Sequence, residues 1–195
     1  MPPRLIEIID YQPRWPEEFA AIGAGLRAAF GPAALAIHHI GSTSVPGLPA
    51  KDVIDVQVSV AALDPVEPLR DAVATAGYGF RPDVAGDHVP PGADPEPALW
   101  RKRYARELEG ARRTHVHIRA SGLPNRRYPL LFRDYLRANR AAAEAYAQIK
   151  RALAAQHSDN VDAYYDVKDP VMDLIIQAAE LWAERNSWRP PETDI

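Results

Sequence analysis

The chain contains no cysteine, which excludes disulfides, thiolate catalysis and cysteine-based zinc sites. It lacks any apolar run approaching the length of a bilayer-spanning helix. The opening residues, MPPRLIEIIDYQ, carry acidic side chains where a secretion signal needs an uninterrupted apolar stretch. The expectation is a soluble, cytoplasmic protein with no membrane partner. Positive charge is not in surplus either. A net charge of -3 and a pI near 6.1 argue against long nucleic acids as partners, because sequence-independent binding to them needs a broad positive surface. No internal repeat, low-complexity tract, HExxH pair or GxxxxGKS/T phosphate loop occurs, so the metalloprotease pattern and the P-loop kinase pattern are both excluded. Nothing in the sequence speaks to oligomeric state.

What is present is the composition of a globular protein: 195 residues, 47% hydrophobic and 25% charged, enough for one domain or a core domain with a helical appendage. Leu5 to Ile9 alternates weakly, as a short edge strand would. Pro13 and Pro16 open a helix to about Phe30, with Trp15, Phe19, Ile22 and Leu26 at helical spacing and Gly31-Pro32 as its stop. Leu35 to Ile40 and Val53 to Val60 read as neighbouring strands around a loop at Gly41 to Lys51. Asp64-Pro65 is expected to cap a helix to about Ala76, and Gly77 to Phe80 to start an extended piece. Arg81 to Pro97, dense in Pro, Gly and Asp, reads as a loop. Two more strands are expected at Ala98 to Arg106 and Thr114 to Ala120. Beyond Arg126 the spacing turns helical, with a last helix starting near Pro170. The fold class is therefore α/β (α+β), a mixed β-sheet with flanking helices over residues 1–121 and a C-terminal helical part over residues 122–195.

The segment HIGSTSVPGLPAKDVIDVQ, His39 to Gln57, carries the most chemistry. Glycine lets backbone N–H groups approach an anion closely, and Ser42, Thr43, Ser44 and Lys51 add donors and positive charge. Asp55, just beyond the turn, has the chemistry to hold a divalent cation against phosphate oxygens. A phosphorylated ligand with its metal is the expectation, against the alternatives of a plain structural loop and of Asp55 bonding only to backbone N–H groups. His39 is expected to support the loop. His115 and His117, two apart on a strand, share a face, and the alternative is a pair of partly buried histidines that hydrogen-bond the fold. Arg133, Asp134 and Arg137 lie at the spacing of a solvated helix face with salt bridges; Arg133, Lys150 or Lys168 could instead close over a phosphate tail.

HIGSTSVPGL, the following AK and the ID of VIDV resemble the signature of the GrpB family, and THVHI at Thr114 to Ile118, LFRDYLR at Leu131 to Arg137, the Tyr146 to Leu153 helix and Tyr165 to Lys168 resemble further segments of it in the same order. The resemblance implies a nucleotidyltransferase-like fold. It implies phosphate binding by Gly41, Ser42, Thr43, Ser44 and Lys51, catalytic roles for Asp55 and His117, and a position for His115 and His117 where nucleotidyltransferases often carry a third carboxylate. In such enzymes acids two apart on the strand bind two magnesium ions, but here the second position is Gln57, a weak magnesium ligand. Asp52, three residues before Asp55, belongs to the opposite face of a regular strand. The cofactor is then a divalent metal at Asp55, His115 and His117, magnesium or a transition metal, the Asp-plus-two-His set suiting the latter. A neutral histidine acting as general base is the alternative. The partner is a nucleotide or other phosphorylated small molecule, with nucleotidyl transfer the implied reaction. A second implication is a non-catalytic binding or folding-accessory role, since GrpB-like domains resemble the domain fused to dephospho-CoA kinase.

Overall fold

The computed structural model describes residues 5–195; residues 1–4, the start of the stretch read for a secretion signal, lie outside them. Strand β2, Ile54–Val60, is the centre of the sheet, antiparallel to β1, Ala36–Ile40, and parallel to β5, Thr114–Ala120. Beyond β5 follow β4, Arg103–Glu107, and β3, Tyr78–Phe80, each antiparallel to its neighbour, so that the order is β1-β2-β5-β4-β3. Because side chains alternate across a strand, β2 has two faces of opposite character. Ile54, Val56, Val58 and Val60 join Val116 and Ile118 of β5 in a core that also holds Trp15, Phe19 and Leu26 of helix α1, Trp15–Phe30, and Leu69 and Val73 of α2, Glu67–Thr75. Asp55, Gln57 and Ser59 point the other way, level with His115, His117 and Arg119. That polar face lies under three further helices, α3, Pro124–Ala138, α4, Arg140–Gln156, and α5, Val161–Arg185. Their own core, built around Leu131, Phe132, Leu136, Tyr146 and Ile176, draws Val45 and Leu48 of the motif loop into it. Among the described residues no helix is long and apolar enough to cross a membrane.

The neighbouring strands around the motif loop are as expected, and α1 ends on Gly31 at φ 53°, whose N–H bonds Arg27 O. Four local expectations need correction. Leu5 to Ile9 forms no strand; among the described residues its one ladder contact is a single bridge from Ile9 to Ala50. Asp64 does not cap α2, because its carboxylate pairs instead with Arg101 and Arg103. The stretch from Ala98 begins as a short 3-10 turn, Pro97–Trp100, and becomes strand only at Arg103. The last helix starts at Val161, nine residues before Pro170, with the Asn160 side chain accepting from Ala163 N. Proline costs a helix interior one backbone hydrogen bond, but here the Asn160 cap and the buried faces of Tyr164 and Asp173 hold the turns on both sides.

Arg133 also departs from the solvated-face reading. It is 2% exposed, and its guanidinium donates to His39 O at 2.8 Å, to Asp194 Oδ2 at 2.7 Å and to Asp134 Oδ1 at 2.8 Å. Asp194 in turn accepts from His39 N at 2.9 Å, and Thr193 bonds Ile37, so residues 193–195 cover the free edge of β1. Arg133 therefore fastens α3 and the covered edge to the strand that leads into the motif loop, and it takes no part in the cavity described below. Arg133→Met, which keeps the bulk and removes the donors, is expected to cost about 3 kcal/mol, the scale for breaking one side of a buried ion pair. Urea unfolding checks this, and an unchanged midpoint would contradict it.

Candidate functional site

The polar face of the sheet and helices α3, α4 and α5 leave between them a cavity of about 380 Å³, within the range of small-molecule sites. Its sheet wall carries Asp55, His115, His117 and Arg119. The parallel pairing of β2 with β5 sets Asp55 directly beside His115. His115 Nδ1 lies 3.1 Å from Asp55 Oδ1 and His117 Nε2 lies 3.7 Å from it. One ligand atom from each of the three residues falls within 4.8 Å of the others, a spacing compatible with one shared ion. The Tyr104 ring packs on both imidazoles, 5.7 Å and 5.2 Å between centroids, and limits their rotation.

Gly41 gives the carboxylate its room. It sits at φ 70°, a conformation that favours glycine, and a Cβ built there would lie 2.4 Å from Asp55 Oδ2. The chain then turns through a 3-10 segment, Ser42–Ser44. Its hydroxyls part company. Ser42 Oγ accepts from Lys150 Nζ at 2.9 Å and borders the cavity. Thr43 also borders it, but its hydroxyl donates to Val53 O at 3.1 Å and bonds His39 Nε2 at 3.0 Å. Ser44 Oγ donates to Gly41 O at 2.5 Å, inside the turn, and Arg137 holds the Ser44 carbonyl from outside. Of the hydroxyls named from the sequence, Ser42 is the one left facing the cavity, while Thr43 and Ser44 build the turn. His39, stacked on Phe19 at 4.7 Å, supports the loop as expected.

Lysines gather at the same end. Lys51 Nζ donates to Tyr165 OH at 2.8 Å and lies 5.3 Å from the Tyr164 ring centroid. Lys168 Nζ lies 5.2 Å from the Tyr165 centroid and 3.5 Å from Asp169 Oδ1. Lys150 is 2% exposed, and burial, with the charges of Lys168, Lys51 and Arg151, pushes its ammonium down to about 7. Burial, with a smaller push from Lys51, lowers Lys168 as well, against the opposing pull of Tyr165 and Asp169. Tyr164 is wholly buried, and its hydroxyl has no hydrogen-bond partner among the described residues. Three cations and a spare hydroxyl, with Asp169 as the carboxylate paired to one of them, leave this end short of negative charge.

Asp55 and His117 hold the protonation states of metal ligands. Burial alone would raise the Asp55 carboxyl; hydrogen bonds and charge from His115 and His117 outweigh it and hold the group well below the usual carboxylate range. Burial lowers His117 to about 4, helped by Arg119 and Lys102 and opposed by Asp55. A neutral imidazole and an ionised carboxylate are the forms that coordinate a cation.

Gln57, at the position of the expected second acid, is fully buried and engaged elsewhere. Its Oε1 accepts from Arg119 Nη1 at 2.8 Å and its Nε2 donates to Arg126 O at 3.1 Å. Asp52 lies off the site, where it accepts from Arg14, Trp15 and Arg112. The α3 side of the cavity holds residues that the sequence reading passed over. Asp87, from the Pro-rich loop, accepts from both Arg119 and Lys102 at 2.7 Å. Asn125 and Tyr128 come from the first turns of α3. A loop without periodicity hides Asp87. For Asn125 a weak signal exists, a polar side chain one residue into a helix.

Against this geometry the comparisons are clear. A family model described as GrpB protein matches residues 5–178. The chain belongs to the GrpB family. The crystal structure of conserved protein GrpB from Enterococcus faecalis aligns with a TM-score of 0.74 at 32% identity, covering 90% of this chain and 99% of that one. A dephospho-CoA kinase of Mycolicibacterium paratuberculosis is 34% identical over 197 residues, 95% of this chain but 48% of that protein. The chain thus spans about half the length of the first curated relatives it matches. A structure of Cid1 in complex with its short product ApU aligns at a TM-score of 0.42 and 13% identity, over 74% of this chain and 41% of that one, a likeness too slight to bear on activity.

The histidines of the site predict a pH dependence. His39, like His117, is lowered by burial to about 4, whereas an unfolded histidine titrates near 6.5. Between these values the unfolded chain binds protons that the folded chain refuses, so stability rises with pH through this window and is lost as pH falls from about 6.5 to 4. The loss expected is on the order of 2 to 3 kcal/mol for each histidine. Urea midpoints measured at pH 7 and pH 4.5 check it. His39→Gln should flatten the slope whatever its own baseline stability.

Proposed function

We propose that this GrpB protein binds a phosphorylated small molecule, a nucleotide above all, together with a divalent cation. The observation that carries the reading is the gathering of Lys51 and Lys168 on Tyr165 with Lys150 on Ser42, all lining the cavity whose wall carries Asp55, His115 and His117. A buried cation without a full complement of anions is costly, and a phosphate tail would supply the missing charge while accepting from the ammoniums and from the Ser42 and Tyr164 hydroxyls. Asp55, His115 and His117 would hold the cation, and one carboxylate with two imidazoles suits zinc, manganese or iron better than magnesium. When bound, such an ion neutralises phosphate charge and polarises a phosphoryl oxygen.

As activity we propose nucleotidyl transfer that is weak or dependent on an atypical metal. In that reaction an acceptor oxygen bonds the α-phosphorus, the α–β bridging P–O bond breaks, pyrophosphate leaves and the acceptor proton passes to a base. As the alternative to a ligand role, His117, neutral above about pH 4, would serve as that base beside Asp55. Two-metal chemistry needs clustered acids, and Gln57 is engaged by Arg119 and Arg126 where the second acid would stand. Binding and turnover should therefore separate. A second reading, a binding or accessory module without turnover, is favoured by the alignment of this chain to about half of a dephospho-CoA kinase.

Isothermal titration with inorganic triphosphate and with nucleotides, with and without manganese or zinc, tests the proposal. Ser42→Ala and Lys51→Ala are expected to weaken triphosphate binding several-fold and Lys150→Met about tenfold or more, on the scale of one charge-assisted hydrogen bond. Affinity should also fall as pH rises through about 7, because Lys150 loses its proton there and a bound anion favours the protonated form. No binding by the unaltered chain, or binding indifferent to Lys150, would refute the reading.

A further inference from the structure

The α3 end of the cavity carries two polar atoms with no hydrogen-bond partner among the described residues. Asn125 is 1% exposed, and its Nδ2 donates to Asp87 Oδ2 at 3.1 Å and to Arg101 O at 2.8 Å. Two acceptors facing the nitrogen fix the orientation of the amide, because a flipped amide would oppose oxygen to oxygen. Asn125 Oδ1 is then a fixed acceptor, buried and without a hydrogen-bond partner among the described residues. Tyr128 stands three residues on, one helical turn along the same face of α3. Its hydroxyl is likewise buried and unpartnered among the described residues. Burial first, then the charges of Asp173 and Asp169, keep the proton on this phenol. Both residues line the cavity, and so do Trp100 and Phe132, the latter stacked on Tyr128 at 6.3 Å. An unsatisfied buried polar group costs about 1–3 kcal/mol, and this end holds two of them next to apolar surface.

One acceptor and one donor a helical turn apart, beside aromatic walls, match the edge of a planar heterocycle that presents a donor next to an acceptor. Every nucleobase has such an edge, and proteins that accommodate an unstacked base read it by hydrogen bonds to that edge and by stacking. Inorganic polyphosphate, ionised and therefore an acceptor only, has no donor for Asn125 Oδ1. We propose that Asn125 and Tyr128 form a base-reading subsite, so that the phosphorylated ligand is a nucleotide whose base enters the α3 end of the cavity while its phosphates meet Lys51 and Lys150. Asn125 Oδ1 accepts from the base and the Tyr128 hydroxyl donates to it. This rests on the phosphorylated-ligand reading above and adds the class of ligand and the residues that select it.

The test compares Kd values of the full chain for ATP, CTP, GTP, UTP and inorganic triphosphate by isothermal titration, in the unaltered protein and in Tyr128→Phe. That substitution removes only an unpartnered hydroxyl, so the melting temperature should stay the same or rise. The expected result is that at least one nucleotide binds tenfold or more tightly than triphosphate, and that Tyr128→Phe weakens that nucleotide about five- to tenfold while leaving triphosphate unchanged. Equal affinity for all nucleotides and triphosphate overturns the subsite. So does a Tyr128→Phe protein that keeps the full nucleotide preference, which would mean that a water satisfies the hydroxyl. Binding of triphosphate alone sinks the base-reading subsite and leaves the phosphate end standing, whereas binding of no probe at all sinks both.

Discussion

The close passage of the backbone at Gly41 over the Asp55 carboxylate is the constraint on which the rest of the site depends. A methyl group there would meet Asp55 Oδ2 at 2.4 Å, and the φ of 70° would strain any side chain. With glycine, β1 runs into a tight turn that brings Ser42 under Lys150, while β2 carries Asp55 back along the opposite side of that turn. The parallel pairing of β2 and β5 then supplies His115 and His117 without any further device, since residues level in register and on one face must meet. Thr43, Ser44, His39 and Arg137 spend their hydrogen bonds on keeping this turn in place.

The cavity exists because one face of the sheet is polar. The apolar face of β2 closes on α1 and α2 with Val56 and Val58 fully buried, but Asp55, His115 and Arg119 cannot be covered by apolar helix surface without a large desolvation cost. Helices α3, α4 and α5 therefore pack mainly on one another and on the motif loop. They meet the polar face with lysines, tyrosines and Asn125. The charges are distributed unevenly. At the α3 end Asp87 is matched by Arg119 and Lys102, whereas at the α4 and α5 end the lysines mainly face tyrosine rings and one another. That imbalance is the ground on which an anion is proposed at the second end.

Much of this was legible in the sequence, and the failures have physical causes. The strands on either side of the motif loop follow from β-branched residues in alternation, and Asp55, His115 and His117 come together because a period of two and a parallel register leave little choice. Lys51 and Ser42 stood out by their chemistry as candidates, and both line the cavity. Thr43 and Ser44 were not separable from Ser42, because which hydroxyl of a turn faces outward depends on the turn's own hydrogen bonds. Lys150 was named beside Arg133 and Lys168 as able to close over a phosphate tail, but which of the three faces the cavity could be assigned only once the helices were packed. Arg133 looked like a solvated helix residue because the spacing of charges on a helix does not reveal an acidic tail, Asp194, brought in from sixty-one residues away. Pro170 read as a helix start because interior proline is costly, a local rule that the Asn160 cap and tertiary burial override.

The measurement that bears most directly on the central claim is a crystal structure of the chain soaked with manganese and a slowly hydrolysed nucleoside triphosphate analogue, with anomalous scattering used to locate the ion. The account predicts an anomalous peak within coordination distance of Asp55, His115 and His117, with phosphate oxygens against Lys150 and Ser42. An ion or phosphate tail seated elsewhere, with the lysine end of the cavity filled only by solvent at saturating ligand, would contradict it.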